Sequence, residues 1–150
     1  MGASYVGIDV GKTHYRVGVL DEKAKLIDYC KIAYGRAGYE SLLAGVTTSI
    51  DERLSAVGAS TADIGAIGVA LPGIVNRDTG AFRQGPDYDF MRGRSLGNDL
   101  AHRYSCTVTS DVDTIAPTWG ELSAGLGREC HRFALLTWGT SIGAGLVPQV

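Results

Sequence analysis

Cysteine is scarce in this chain of 150 residues, with three in all. They stand at Cys30, Cys106 and Cys130, an odd number with no CxxC spacing. That argues against a disulfide framework or a cysteine zinc site and favours a reducing, cytoplasmic setting. No apolar run is long enough to span a bilayer. The opening residues show no basic segment followed by a long apolar one, so no signal peptide is expected. They read Met-Gly, but Val6 stands where a myristoylation signal needs Ser or Thr. Charge of one sign is lacking too: 14 basic against 16 acidic residues give a net charge of −2, with no basic stripe. Binding to nucleic acid through an electrostatic footprint is therefore not expected. Internal repeats, low-complexity tracts and interdomain linkers are absent from the pattern.

Glycine, in contrast, is abundant at 21 residues, which implies many tight turns and close backbone approaches. Hydrophobic residues make up 45%, enough for a buried core in one domain. The apolar pattern opens with three short strands, near residues 5–10, 15–19 and 25–33, joined by short turns as an antiparallel meander. A helix follows over roughly 38–57, where Tyr39, Leu42, Leu43, Val46, Ile50, Leu54 and Val57 recur at helical spacing. Then come a strand at 64–70, a hairpin at 74–82, a loop at 86–93, a helix at 95–104, a strand at 106–110 and a helix at 114–126. A last hairpin joins 133–138 to 142–147 across a glycine-rich turn. The order βββαβαβα plus a terminal hairpin predicts an α/β fold of the ribonuclease H-like type, with a mixed five-stranded sheet and helices on both faces.

Four segments carry candidate chemistry. Gly7-Ile8-Asp9-Val10-Gly11-Lys12-Thr13 ends like a Walker A loop, but it is one residue short and leads into a strand instead of a helix. A strand-turn-strand phosphate cradle, with backbone N–H groups around Gly11 and Thr13 and Asp9 near a metal, suits the context better. An ordinary hairpin with Asp9 as a turn residue remains open on this segment alone. Leu71-Pro72-Gly73 ends a strand sharply, and ligands in α/β sheets collect at such ends; a plain strand terminator is the simpler reading. Asp111-Val112-Asp113 lies where a strand passes into a helix, with Glu121 eight residues after Asp113. A carboxylate there serves as a helix cap or as an acceptor of a substrate proton. Trp138-Gly139-Thr140-Ser141-Ile142-Gly143-Ala144-Gly145 forms a second glycine-rich hairpin.

These four segments, in this order and spacing, resemble the ROK family of sugar kinases and repressors, a branch of the actin/hexokinase/Hsp70 superfamily. The family pattern reads G-I-D-x-G-G-T, then G-x-P-G-x-[VI]-[DN], then N-D-x-N-x-x-x-x-G-E, then L-G-T-G-[VI]-G-[GA]-G. The likeness runs from Tyr5 to Val147 and implies an actin-like ATPase domain that uses ATP and magnesium on a small sugar. It assigns Asp9, Gly11, Lys12 and Thr13 to the first phosphate cradle, with Asp9 near magnesium through water. It assigns Gly139, Thr140, Ser141 and Gly143 to the second cradle. Asp113 matches the catalytic base, because its distance to Gly120-Glu121 equals the family spacing, while Asp111 lies two residues early. Pro72, Gly73 and Glu121 fall on the sugar side.

The departures are specific. Lys12 replaces a glycine of the first motif and Ser141 one of the second. Val112 and Ile115 replace two asparagines beside the base. Losing such a hydrogen-bonding side chain weakens recognition by roughly 1 kcal/mol or more. Family members are about twice this length, and the remaining half supplies the adenine pocket and further sugar ligands. The expectation is the N-terminal domain of an ATP-dependent kinase of a hexose or N-acetylhexosamine, inactive alone. The alternatives are a non-catalytic half-domain acting through a homodimer or a partner, and a remnant of a sugar-sensing regulator.

Overall fold

The computed structural model describes all residues except 1, 36, 77, 86, 139–141, 149 and 150. Three strands open the chain: β1 (Ser4–Val10), β2 (His14–Leu20) and β3 (Leu26–Ala33). Helix α1 (Tyr39–Ala56) leads to β4 (Ile64–Leu71). Two short strands, β5 (Ile74–Val75) and β6 (Phe82–Gln84), pair as a small hairpin. Helix α2 (Leu96–Tyr104), β7 (Thr107–Val112) and α3 (Ile115–Ala124) follow. The hairpin β8 (Phe133–Trp138) and β9 (Ile142–Val147) closes the chain. Short 3-10 turns at Thr61–Asp63, Asp89–Met91 and Leu126–Glu129 were not legible as periodicity, since a single turn leaves no period to read.

The main sheet has the order β3-β2-β1-β4-β7. β1, β2 and β3 pair antiparallel, while β4 pairs parallel with β1 and β7. The expected mixed five-stranded sheet is thus present. Alternation sorts the strands into two faces. Val6, Ile8 and Val10 of β1, Val17 and Val19 of β2, and Ile67, Val69 and Leu71 of β4 are buried on one face. They join Leu42, Val46, Ile50 and Leu54 of α1 and Leu96 and Leu100 of α2 in one core. α1 begins without a side-chain cap, so its apolar face rather than its terminus fixes its position. α2 does have a cap: Ser95 Oγ accepts the Asn98 N–H at 3.2 Å.

The opposite face is built differently. Tyr5, Gly7 and Asp9 of β1 point there, in register with Ala66, Gly68 and Ala70 of β4. The helix α3 lies over this side, against β4 and β7, and β9 packs on α3. Helices therefore cover both faces. The ends of the parallel strands β1, β4 and β7 meet at one edge, and that edge carries the candidate site.

Candidate functional site

Asp9 sits one residue before the end of β1, on the face of the sheet opposite the core. Its cross-strand partner is Arg16, and the Arg16 guanidinium donates to Asp9 Oδ2 at 2.5 Å. The following turn is tightly tied. The Gly11 N–H donates to the His14 carbonyl at 2.9 Å, and the Tyr34 hydroxyl donates to the Gly11 carbonyl at 3.0 Å. Gly11's own N–H is therefore spent inside the turn. A side chain at Gly11 would press on the His14 carbonyl at 3.1 Å. The Thr13 hydroxyl contacts His14 Nδ1 at 2.8 Å. Lys12, the departure from the family glycine, pairs with Asp87 at 2.6 Å across the site. Asp87 takes a left-handed backbone, φ 68°, in the loop after β6.

The strand-end loop after β4 meets this same edge. Gly73 has φ 134°, and a side chain there would strike the Gln84 carbonyl and Gly85 Cα. Only glycine satisfies both conditions. Pro72 and Gly73 thus turn the chain back against the β6 end. The Asp113 N–H donates to the Leu71 carbonyl at 2.8 Å, which ties the base candidate to this loop. Burial pushes the Asp113 carboxyl above its ordinary value, and the Asp9 charge pushes it further; a hydrogen bond from the Thr114 N–H acts the other way. Asp9 and Asp113, 104 residues apart in sequence, therefore feel each other at one edge of the sheet.

Gly143 joins them from the last hairpin. A side chain at Gly143 would overlap Thr114, the residue after Asp113, and one at Gly145 would overlap Thr118. Gly139, Thr140 and Ser141 lie outside the described residues. Glu121 is not gathered with the others. It lies six residues beyond the first residue of α3, or about 9 Å along the axis. Its Oε2 accepts the Leu126 N–H at 3.1 Å, so it organises the end of the helix.

Three residues were missed or set aside by the sequence reading. Arg16 was legible in principle, as the opposite charge facing Asp9 across a short turn. Asp87 was not, because no local pattern links it to Lys12. Asp111 lies in the same cross-sheet row as Asp9, with Ala70 between them, and its Oδ1 accepts the Val112 N–H at 2.8 Å. A cleft of about 880 Å³ lies beside β7 and α3 and is lined by neither Asp9 nor Asp113. We take the strand-end edge as the candidate site, because the two interacting carboxylates, the Gly11 turn and the Pro72–Gly73 loop converge there.

Among the described residues no group of three or more metal-binding side chains exists. The pair Asp9 and Asp113 nevertheless suits magnesium, which takes one or two carboxylates and keeps several waters and phosphate oxygens. Burial is the larger cause of the raised Asp113 carboxyl, and the Asp9 charge that adds to it is one a divalent cation would offset.

The ROK family model matches residues 5–149. A glucokinase from Halalkalibacterium halodurans is 28% identical over 144 residues, covering 95% of this chain and 43% of its own. An N-acetyl-D-glucosamine kinase from Photobacterium profundum is 29% identical over 147 residues, with 95% and 46% covered. The structure of a ROK family glucokinase from Streptomyces griseus, in complex with glucose and AMPPNP, superposes with a TM-score of 0.84 at 23% identity, over 98% of this chain and 45% of that one. The fold is therefore the actin-like, ribonuclease H-like one that the strand order predicts. The chain spans less than half the length of the relatives it matches. From Tyr5 to the end of its last strand, this chain belongs to the ROK family.

Proposed function

We propose that this chain is the N-terminal domain of an ATP-dependent sugar kinase, carrying one wall of the active site, and that it transfers no phosphate at ordinary rates alone. The observation that carries the reading is the meeting of Asp9 and Asp113 at one sheet edge, beside the Gly11–Thr13 turn and the Pro72–Gly73 loop. Relatives named as glucokinase and as N-acetyl-D-glucosamine kinase suggest a hexose or N-acetylhexosamine as acceptor.

In this reading Asp9 holds magnesium through water, and Lys12, Thr13 and the second glycine turn surround the phosphates. When bound, Mg·ATP supplies the transferable γ-phosphoryl group. Asp113 accepts the proton of the sugar hydroxyl as that oxygen becomes the nucleophile. A carboxylate with a raised proton affinity is a better acceptor for a hydroxyl proton than an ordinary one. Positioning and charge neutralisation do most of the remaining work. Pro72 and Gly73 shape the acceptor side, while Val112 and Ile115 give it an apolar border. Glu121 contributes through the end of α3. The three free cysteines suit a cytoplasmic setting.

The second reading, a non-catalytic half-domain that acts through a partner, draws on the last hairpin. One face of β8–β9 packs on α3, but the other presents Leu136, Trp138, Ile142 and Leu146 to solvent, with Trp138 88% exposed. A contiguous apolar face left in water marks a surface for association. Both readings agree that this surface is covered by further polypeptide in the working protein.

Calorimetric titration with Mg·ATP, for the wild-type chain and for Asp9→Ala, separates them. The kinase reading expects binding that Asp9→Ala abolishes. A well-folded chain that binds no Mg·ATP would leave only the half-domain reading.

A further inference from the structure

The outer edge of the main sheet, away from the candidate site, is a long apolar strand. β3 ends the strand order opposite β7 and runs for eight residues, Leu26–Ala33. Strands of about five or six residues are the common length. Natural edge strands are blunted by shortness, proline, charge, bulges or a covering segment. β3 contains neither proline nor glycine. Its register shift lies at its start, beside Leu26, so Asp28 to Ala33 run in plain register with β2. Leu26, Ile27, Tyr29 and Ile32 are all exposed, Tyr29 by 62%.

The backbone shows which groups face outward. The Tyr34 N–H donates to the Thr13 carbonyl at 3.2 Å, in the same register that pairs Ala33 with His14. Backbone direction alternates along a strand. Asp28, Cys30 and Ile32 therefore turn their N–H and C=O groups toward β2, while Tyr29, Lys31 and Ala33 turn theirs away from the sheet. In agreement, the Tyr29 N–H donates to Asp28 Oδ1 at 2.9 Å and not to a strand. The side chains alternate as well. Cys30 stands opposite buried Val17 and packs on the core, and Tyr29 stands opposite Gly18 on the other face.

A second copy of β3 fits this edge by symmetry. Antiparallel pairing about a two-fold axis perpendicular to the sheet is self-complementary. It keeps each face of the sheet continuous only if the axis passes at one residue, because a slip of one position exchanges the faces. An axis at Lys31 would set two lysines directly opposite, which is unfavourable. An axis at Tyr29 would pair Ala33 with Lys25, which lies outside the strand. An axis at Cys30 uses the strand from Ile27 to Ala33 and sets Tyr29 against Lys31 of the second copy, twice over. An ammonium group beside a tyrosine ring is a favourable pair. We propose that two copies of this chain pair through β3, antiparallel about a two-fold axis at Cys30, into one continuous sheet of ten strands. Open sheets reach about that size. The inference does not rest on the kinase reading, since no residue of β3 belongs to the candidate site.

Sedimentation velocity of the chain over a range of concentrations tests it. The wild type should dimerise. Tyr29→Lys sets like charges opposite each other on both sides of the axis and should weaken the dimer by about tenfold. Tyr29→Glu sets opposite charges there and should dimerise more tightly than Tyr29→Lys. Tyr29 is exposed, so both variants should keep the wild-type circular dichroism. Trp138→Lys, on the exposed face of the last hairpin, should leave the dimer intact. In a chain with Cys106→Ser and Cys130→Ser, mild oxidation should link two copies through Cys30, because a non-hydrogen-bonded antiparallel pair brings its Cα atoms to about 4.5 Å, within disulfide range. A wild type that stays monomeric as concentration is raised would overturn the inference. So would equal weakening by Tyr29→Lys and Tyr29→Glu, a dimer that Trp138→Lys abolishes, or a dimer that oxidation leaves unlinked at Cys30.

Discussion

Two glycine-to-alanine changes should move stability in opposite directions, and the structure fixes the sign of each. At Gly145 in β9, a new Cβ would overlap the Thr118 hydroxyl and approach the Thr114 carbonyl and Thr118 Cβ, each at 2.8 Å. None of these neighbours yields easily. Thr118 is buried, its hydroxyl donates to the Thr114 carbonyl at 2.9 Å, and that carbonyl belongs to the first turn of α3. Overpacking of this kind costs about 1–3 kcal/mol. Relief of glycine's chain entropy returns about 0.4–1 kcal/mol, so Gly145→Ala should be destabilising by about 1–2 kcal/mol. At Gly68 the same change meets open space, so only the entropy gain remains, and Gly68→Ala should be stabilising by about 0.4–1 kcal/mol. Urea unfolding of the three proteins should give a lower midpoint for Gly145→Ala, a higher one for Gly68→Ala, and similar slopes. Thr118→Ala should recover part of the Gly145→Ala loss, because it removes the hydroxyl that the new methyl meets. A stabilised Gly145→Ala protein, or a destabilised Gly68→Ala one, would refute the packing described for β9 against α3 and for the open space over Gly68.

Two further outcomes concern titration. Burial, with the Asp51 carboxylate beside it, pushes the Tyr104 hydroxyl from 10.0 up to about 12. Because the folded value is raised, its contribution to stability is complete below pH 10 and is lost as pH rises toward about 12. Tyr104→Phe should flatten that alkaline loss while lowering stability at neutral pH, since the hydroxyl's bonds to the Thr47 carbonyl and Asp51 go with it; equal alkaline slopes in the two proteins would contradict this. The Asp113 carboxyl is also raised, so it favours folding in acid and less so as pH rises through its folded value. Asp113→Asn should therefore gain stability relative to wild type, by urea midpoint, as pH rises above 3.8, and a constant difference would count against the raised carboxyl.

The sequence carried the sheet well because most of the buried residues alternate. Val6, Ile8 and Val10, then Tyr15, Val17 and Val19, mark two strands that face one core. The helical spacing of Leu42, Val46, Ile50 and Leu54 marked α1 in the same way. The convergence of Asp9 and Asp113 was readable because each carboxylate stands near the end of a parallel strand, and parallel strands in one sheet end on one side. What could not be read is set by contacts across the fold. Lys12 meets Asp87 through a loop whose path depends on the close approach of Gly73 and Gly85. The resemblance puts Glu121 on the acceptor side, but no local pattern foretells its bond to the Leu126 N–H, which depends on how the chain leaves α3. The glycines at 7, 18 and 68 look like scattered small residues until the register aligns them.

The central claim is that Asp9 and Asp113 form one electrostatic site for magnesium, nucleotide and acceptor. Carbon-13 nuclear magnetic resonance of labelled aspartate follows the Asp113 carboxyl through a pH titration in wild type, in Asp9→Asn, and in wild type with Mg·ATP. The account predicts that Asp113 titrates above an ordinary aspartate in the free wild-type chain, moves down in Asp9→Asn, and moves down again when Mg·ATP is added to the wild type. An Asp113 titration unmoved by either change would contradict it.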